Sequence, residues 1–137
     1  MEETIFDKII RREIPANIVY EDDETIAFLD INPVNPGHTL VVPKRFARNI
    51  LDADEAVLTA VMRTAQKIAR AQKDALSAEG VNIIINNEPT AGQVVFRLHA
   101  HVIPRYEHDG YRHWHGHPYA SSDEAATTAE KIRAKLA

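Results

Sequence analysis

Residues 92–104 read GQVVFRLHAHVIP, a β-rich run that carries His99 and His101 two positions apart among side chains suited to burial. If residues 95–103 form a strand, the period-two alternation of side chains puts Arg97, His99 and His101 on one face. The apolar residues between them then point to the opposite face. One face of this strand would carry chemistry while the other packs in a core.

Three interpretations of the histidine pair are open from these residues alone. The simplest is a structural pair that hydrogen-bonds within the sheet. A metal site is the second, since neutral imidazole is a common ligand, but such a site needs two more ligands. His38 offers one, whereas the chain has no cysteine and no carboxylate close in sequence to the pair. The third is catalysis, in which one imidazole attacks a substrate and the other transfers a proton or contacts phosphate.

Length and composition limit the class of protein. A chain of 137 residues favours one domain with a continuous core. The absence of cysteine excludes disulfides and cysteine-ligated zinc, and the sequence shows neither a signal-peptide pattern nor a membrane-spanning apolar run. We therefore expect a cytoplasmic protein that binds no membrane. The net charge of -4 argues against sequence-independent binding to nucleic acid and leaves a small phosphorylated ligand as the alternative.

Hydrophobic spacing and turn residues predict the order of helices and strands. Pro36 and Gly37 predict a turn with a positive φ at the glycine, directly before His38. Asp52 and Glu55 have the spacing of a capping box at the start of the long helix. Helices are predicted at 5–12, 52–78 and, from a weaker pattern, 122–137, and strands at 17–21, 24–30, 38–43, 81–87 and 95–103.

The run Phe96-Arg97-Leu98-His99-Ala100-His101-Val102-Ile103, preceded by Gln93, resembles the His-φ-His-φ-His-φ-φ signature of the histidine-triad (HIT) superfamily, in which φ is apolar. The chain departs from this signature at one position, because Arg97 stands where the first histidine is expected. Further segments resemble the Hint-like branch in the same order: IFDKII at 5–10, IPA at 14–16, YEDD at 20–23, AFLDI at 27–31 and PGHTLVVPK at 36–44. We therefore expect a single HIT domain over residues 1–137. The resemblance covers roughly residues 4–106, and residues 107–137 form a C-terminal tail.

The resemblance implies an α+β fold with a five-stranded antiparallel sheet, one long helix and one short helix. It also implies a homodimer in which two sheets join into a ten-stranded one. The implied substrates are purine nucleoside phosphoramidates or adenylylated compounds, cleaved at the α-phosphate through a nucleotidyl-histidine intermediate with no metal and no cofactor. The element order predicted from hydrophobic spacing agrees with this fold.

Matching positions imply roles for the polar residues near the motif. His99 matches the nucleophile, His101 the histidine that contacts phosphate oxygens and helps to protonate the leaving group, and His38 a supporting hydrogen-bond partner. Arg97 cannot replace a histidine in a proton network, because guanidinium stays charged. We expect Arg97 either to bind a phosphate oxygen or to point outward from the sheet edge, and we expect its charge to disfavour protonation of His38.

The resemblance also implies a nucleotide pocket. Asp30 matches the carboxylate that accepts hydrogen bonds from the ribose hydroxyls, and Asn86 and Gln93 match polar residues that hold phosphate or ribose. Val94 stands where the family often has serine, so the backbone N–H groups of this loop would contribute more to phosphate binding. Four apolar residues are predicted to wall the base pocket: Ile5, Phe6, Ile26 and Phe28.

Two alternatives for the function remain open. The same chemistry serves hydrolysis of dinucleoside polyphosphates, and Arg97 fits a nucleotide-binding sensor or interaction module with weakened catalysis. The tail contains YRHWHGH at 111–117, whose alternate histidines suggest a metal tract. A flap on the substrate side or a plain surface tail is the interpretation we favour for it.

Overall fold

The computed structural model describes residues 3–136, which form three helices and a five-stranded sheet. All strand pairs are antiparallel, in the order β1-β2-β3-β5-β4. The elements are α1 (Ile5–Ile10), β1 (Ile18–Glu21), β2 (Thr25–Leu29), β3 (Thr39–Pro43), α2 (Glu55–Leu76), β4 (Gly80–Ile84), a 3-10 turn (Pro89–Ala91), β5 (Ala100–Arg105) and α3 (Ser122–Arg133). The predicted fold class is confirmed, and α3 is present in addition to the long and the short helix. Within residues 3–136, no helix combines the length and the apolar character that crossing a membrane requires.

The two faces of the sheet pack in separate clusters because the strand side chains alternate. The long helix α2 covers one face, and the short helix α1 covers the other. On the α1 face, Phe6 and Ile9 contact the side chains of Ile26, Phe28, Leu40 and Val42. On the α2 face, the buried cluster comprises Ala27, Val41, Ala47, Val57, Val61, Ala65, Ile68, Leu98, Ala100 and Val102.

The predicted strand at 95–103 is wrong at its start, because β5 begins at Ala100. Residues 93–99 follow an irregular path that ends where Leu98 N–H donates to the carbonyl of Ala47 at 2.8 Å. The ladder between β3 and β5 stops at the pair Val41–Ala100, although β3 itself continues to Pro43, and β4 on the other side ends at Ile84. Arg97 and His99 therefore precede the strand, and tertiary contacts determine their positions. They still lie on the predicted side, since Leu98 packs on the α2 face with Ala100 and Val102 while Arg97 and His99 contact α1.

Two predicted details of α2 are also corrected. Its N-cap is Asp54, which accepts a hydrogen bond from Val57 N–H at 2.9 Å, whereas the expected cap residue Asp52 accepts from the backbone of Arg48 and Asn49. The helix ends at Leu76, two residues before the predicted end at 78, and its C-cap residue Ser77 has a left-handed conformation.

The turn before β3 confirms the glycine prediction, because Gly37 has a φ of 101°. A Cβ atom at this position would crowd the Cδ1 methyl of Leu76, but that side chain is partly exposed and can rotate away. The positive φ is therefore what favours glycine in the turn that leads to His38.

Candidate functional site

Three central strands bring the predicted polar residues to one place on the sheet. His38 directly precedes β3, and His101 lies in β5 opposite Leu40 of β3. Asp30 directly follows β2, and its backbone N–H donates to the carbonyl of His38 at 2.9 Å. His99 directly precedes β5, with its ring centroid 5.0 Å from that of His101.

The hydrogen bonds of His38 determine which ring nitrogens carry protons. Val34 N–H donates to Nδ1 of His38 at 3.1 Å, so this nitrogen is an acceptor. A neutral His38 then carries its proton on Nε2, which lies 2.9 Å from Nδ1 of His101. His101 accepts this proton in a hydrogen bond and must carry its own on Nε2. The pair therefore presents a neutral N–H donor, at Nε2 of His101.

His99 has the opposite arrangement. Its Nδ1 lies 2.7 Å from the carbonyl oxygen of Arg97, which can only accept, so Nδ1 carries the proton and Nε2 carries the lone pair. The ring of Phe6 meets the His99 ring edge to face at 4.9 Å between centroids. Among residues 3–136, no group hydrogen-bonds to Nε2 of His99, and this atom is not among the buried polar atoms that lack a partner. It therefore remains accessible to a substrate.

All three rings are held uncharged near neutral pH. Burial lowers the pKa of His38 and of His99 below the ordinary histidine value, although the carboxylate of Asp30 opposes this in both. Burial, together with the charges that His99 and His38 would carry if protonated, lowers the pKa of His101 to about 4. The cause expected for His38, the charge of Arg97, is wrong, since burial accounts for the shift.

These pKa shifts make folding stability depend on pH. Histidine has an ordinary pKa of about 6.5, so between pH 6.5 and about 4 the unfolded chain binds more protons at His101 than the folded chain does. The free energy of unfolding is therefore expected to decrease as the pH falls through this window. Urea denaturation at pH 7 and pH 5 should show a smaller decrease for His101→Asn than for the unaltered chain. The control His115→Asn, at an exposed tail residue, should show the same decrease in the free energy of unfolding as the unaltered chain. An equal decrease in all three proteins would contradict the lowered pKa of His101.

Asp30, His38 and His101 place three potential metal-ligand atoms within 4.8 Å of one another, the only such group within residues 3–136. Carboxylate and imidazole suit zinc. However, the hydrogen bond from Val34 to Nδ1 leaves Nε2 of His38 protonated. To bind an ion through Nε2, His38 would have to give up its last ring proton or lose that bond. The geometry thus favours a chain of hydrogen bonds with defined proton positions over a metal centre. The histidines of the tail are exposed and do not belong to this group.

Arg97 takes neither of the two places expected for it. Its guanidinium is buried, 3% exposed, and donates to Asp7 Oδ1 at 2.8 Å. It also donates to the carbonyls of Pro43 and Lys44, at 2.7 and 2.8 Å. The side chain points inward, so it is not an outward sheet-edge residue, and its terminal nitrogens are already occupied by protein acceptors.

Gln93 is also engaged within the protein. Its amide donates to the carbonyls of Arg48 and Val95 and accepts from Asn49 Nδ2 and Glu88 N–H, at 2.7 to 3.1 Å. These bonds shape the loop before the histidines and leave the side chain with no spare donor for phosphate.

The remaining pocket residues differ in exposure. Val94 is 83% exposed, and no acceptor within residues 3–136 contacts its backbone N–H or that of Val95. Asn86 is half-buried just beyond β4. Of the predicted apolar wall, Phe6 contacts both His99 and Phe28. Ile5 is half-exposed, whereas Ile26 is fully enclosed in the core and has no surface to offer a base.

Gln72 is a site residue that the sequence reasoning missed. It is buried on α2, and its Nε2 donates to the carbonyls of Gly37 and Val102, both at 2.9 Å. These carbonyls belong to the neighbours of His38 and His101, so one amide holds both strands in register at the site. The available signal was a polar residue on the apolar stripe of α2 that includes Val61, Ala65 and Ile68.

The chain is similar to proteins of one family. A model of the HIT domain matches residues 11–108. An uncharacterised HIT-like protein of Borreliella burgdorferi is 45% identical over 113 residues, which cover 81% of each chain. A crystal structure of a Streptococcus mutans protein superposes with a TM-score of 0.94 at 39% identity, covering 100% of this chain and 87% of the other. The adenylylsulfatase HINT3 of Arabidopsis thaliana is 38% identical over 105 residues, 77% of this chain and 53% of the relative.

Proposed function

Because the chain belongs to the HIT family, we propose that it is a nucleotide hydrolase or transferase that cleaves at the α-phosphate of purine nucleoside phosphoramidates or other adenylylated compounds. One observation carries the proposal: the hydrogen bond from Nδ1 of His99 to the carbonyl of Arg97 leaves the lone pair of Nε2 accessible. A neutral imidazole fixed in this tautomer is a good nucleophile near pH 7. The neutral N–H of His101 lies beside it.

The reaction proceeds in two displacements. Nε2 of His99 attacks the α-phosphorus, and a phosphorus–nitrogen bond forms as the bond to the leaving group breaks. The leaving group departs with the bonding electron pair, and an amine is completed by a proton from solvent. Water then attacks phosphorus, the bond to His99 breaks, and the nucleoside monophosphate is released with one proton of that water returned to solvent. Two easier steps replace one difficult displacement.

His101 is assigned to the phosphate oxygens in this scheme. Its pKa of about 4 leaves it neutral at pH 7, and a neutral imidazole N–H donates a hydrogen bond far more readily than it releases a proton. The N–H therefore stabilises the negative charge that accumulates on the phosphoryl oxygens. The backbone N–H groups of Val94 and Val95, for which residues 3–136 provide no acceptor, are further candidate donors on the loop that precedes His99.

The nucleoside is held beside these groups. One carboxylate oxygen of Asp30 accepts from Asn32 N–H at 2.8 Å, and the other lies 3.7 Å from Nε2 of His38. An ionised, partly exposed carboxylate here suits a ribose diol. Ile5 of α1 is half-exposed and offers apolar surface for the base, whereas Phe6 and Phe28 are buried in the core cluster of the same sheet face.

The direct test is to incubate the protein with adenosine 5′-phosphoramidate, adenylyl sulfate or a diadenosine polyphosphate and to measure release of adenosine monophosphate. The adenylylsulfatase relative makes adenylyl sulfate an informative member of this set. Mass spectrometry after an alkaline quench should find the nucleotidyl adduct on His99. No release from any substrate and no adduct would refute the proposal, and nucleotide binding without turnover would support the sensor alternative.

We also propose that the protein is a homodimer joined along β4. This strand is at the edge of the sheet, so one side of its backbone is open to pairing. Ile83 of β4 and Met62 of α2 are exposed in a shallow groove between strand and helix. A two-fold axis through this edge would pair β4 with its copy and bury both residues.

Replacing Ile83 with aspartate is expected to shift the protein from dimer to monomer, because a charge would be desolvated at the interface. Sedimentation equilibrium at micromolar concentration should show the mass falling by half. Leu51→Asp, at an exposed residue before α2, is the matched control and should leave the mass unchanged. A monomeric mass for the unaltered chain would contradict the dimer.

A further inference from the structure

We propose that Arg97 is a positioning residue that orients His99, a role that rests on the proposed function and replaces the phosphate or proton-network roles expected from its sequence position. The side chain of Arg97 and its backbone carbonyl group make the bonds on which this role depends.

The guanidinium of Arg97 joins two parts of the chain. One terminal nitrogen, Nη1, pairs with Asp7 of α1, and the other, Nη2, donates to the carbonyls of Pro43 and Lys44 at the end of β3. The face of the guanidinium lies 5.6 Å from the ring centroid of Phe46. Arg97 thus fastens the short helix to the central sheet from within the protein.

Asp7 is itself held in place by the start of α1. Its Oδ2 accepts hydrogen bonds from the backbone N–H and the hydroxyl of Thr4, at 2.6 and 2.8 Å, which closes the capping box of the helix. Its Oδ1 remains for Arg97. A six-residue helix is too short to be stable alone. The bond to Arg97 therefore fixes α1 relative to the sheet.

Both contacts that orient the His99 ring pass through this arrangement. The backbone carbonyl of Arg97 accepts from Nδ1 of His99 at 2.7 Å and fixes its tautomer. Phe6, the neighbour of Asp7 on α1, packs edge to face against the same ring. Because residues 93–99 are irregular, no strand ladder holds that carbonyl. Its peptide group is held on one side by Leu98 N–H, which donates to the carbonyl of Ala47 at 2.8 Å, and the side chain of Arg97 supplies the second anchor.

The residue type fits this task. Three acceptors in different directions need a forked donor, which lysine and histidine do not provide. The Nε of Arg97 is buried and has no hydrogen-bond partner, whereas both terminal nitrogens have one. Since both terminal nitrogens are engaged and the group is buried, a phosphate could reach it only by breaking these bonds.

The test compares Arg97→Lys, Arg97→His and Asp7→Asn with the control Arg45→Lys, a change at an exposed arginine. Nitrogen-15 NMR of the histidine rings, without substrate, reports the tautomer of His99. We expect one tautomer, with the proton on Nδ1, in the unaltered chain and the control, and a mixture in the other variants. Circular dichroism establishes that each variant is folded.

Kinetics provide the second measurement. A misdirected nucleophile is expected to lower kcat by roughly 10- to 100-fold. KM is expected to change less than kcat does, because Asp30 keeps its place and only α1, among the groups proposed to bind nucleotide, loses a contact. The effects of Arg97→Lys and Asp7→Asn should be strongly non-additive in the double variant, since both break one contact.

The outcomes separate the two proposals. A gain in turnover for Arg97→His would overturn the positioning role, because it would mean that a histidine belongs in this place. An unchanged His99 tautomer in folded Arg97→Lys and Asp7→Asn would overturn it too. If the unaltered chain turned over no nucleotide, the proposed function would fail, while the NMR comparison would still decide whether Arg97 orients His99.

Discussion

Replacing His99 with alanine is expected to lower turnover of adenosine 5′-phosphoramidate by at least about 1000-fold, because the covalent route is lost with the nucleophile. Nucleotide binding should change little, since His99 contributes a lone pair to the reaction and not a charge to the pocket. Steady-state kinetics and calorimetric titration of adenosine monophosphate measure the two effects separately. The adduct seen by mass spectrometry should disappear.

The control for this variant is His115→Ala, at an exposed tail histidine, which should keep the activity of the unaltered chain. A second variant, His99→Gly, tests the chemistry itself. Added imidazole should restore part of the turnover, because the cavity left by the ring can hold a nucleophile from solution. Full activity in His99→Ala would mean that another group attacks phosphorus.

The helices and strands were predictable because their signals are local. The apolar spacing of α2 and the β-branched residues of β3 and β4 indicate the correct elements within a few residues. The glycine at 37 was predictable for the same reason, since the Pro-Gly pair itself favours a positive φ. The family resemblance then supplied what local signals lack, namely that the five strands form one antiparallel sheet.

Arg97 and the start of β5 were not predictable from these signals. Asp7 and Arg97 are 90 positions apart, and nothing in either segment indicates that they meet. The alternation of side chains places His99 beside His101 and Leu98 with Ala100 in the core, as expected. It does not show that the ladder with β3 stops at Ala100, so that tertiary bonds and not strand pairing orient the ring of His99.

The protonation states depend on loop geometry in the same way. The acceptor role of Nδ1 in His38 comes from Val34 N–H, which a sequence cannot place near the ring. This single bond determines that Nε2 of His38 donates and that Nε2 of His101 carries a proton. It also distinguishes the metal-site interpretation from the catalytic one, which the residue types left open. A ring with a protonated Nε2 is a poor metal ligand through that atom, but it can donate a hydrogen bond to its neighbour.

The second large effect concerns His101. Its replacement by alanine is expected to lower kcat by about 100- to 1000-fold, the range seen when one donor to a developing oxyanion is removed. The loss should be similar for adenosine 5′-phosphoramidate, whose amine leaves poorly, and for adenylyl sulfate, whose sulfate needs no proton. This equality follows from the pKa of about 4, because a neutral N–H stabilises the phosphoryl oxygens in both reactions and gives up its proton in neither.

Measuring kcat for both substrates with His101→Ala and His101→Gln checks this assignment. Glutamine keeps an N–H donor without a titrating ring, so it should recover part of the loss for both leaving groups alike. A loss confined to the phosphoramidate, with adenylyl sulfate unaffected, would instead identify His101 as the acid that protonates the amine. That result would require the bound nucleotide to raise the pKa of His101 well above its value in the unliganded protein, since the negative charge of phosphate favours the protonated ring.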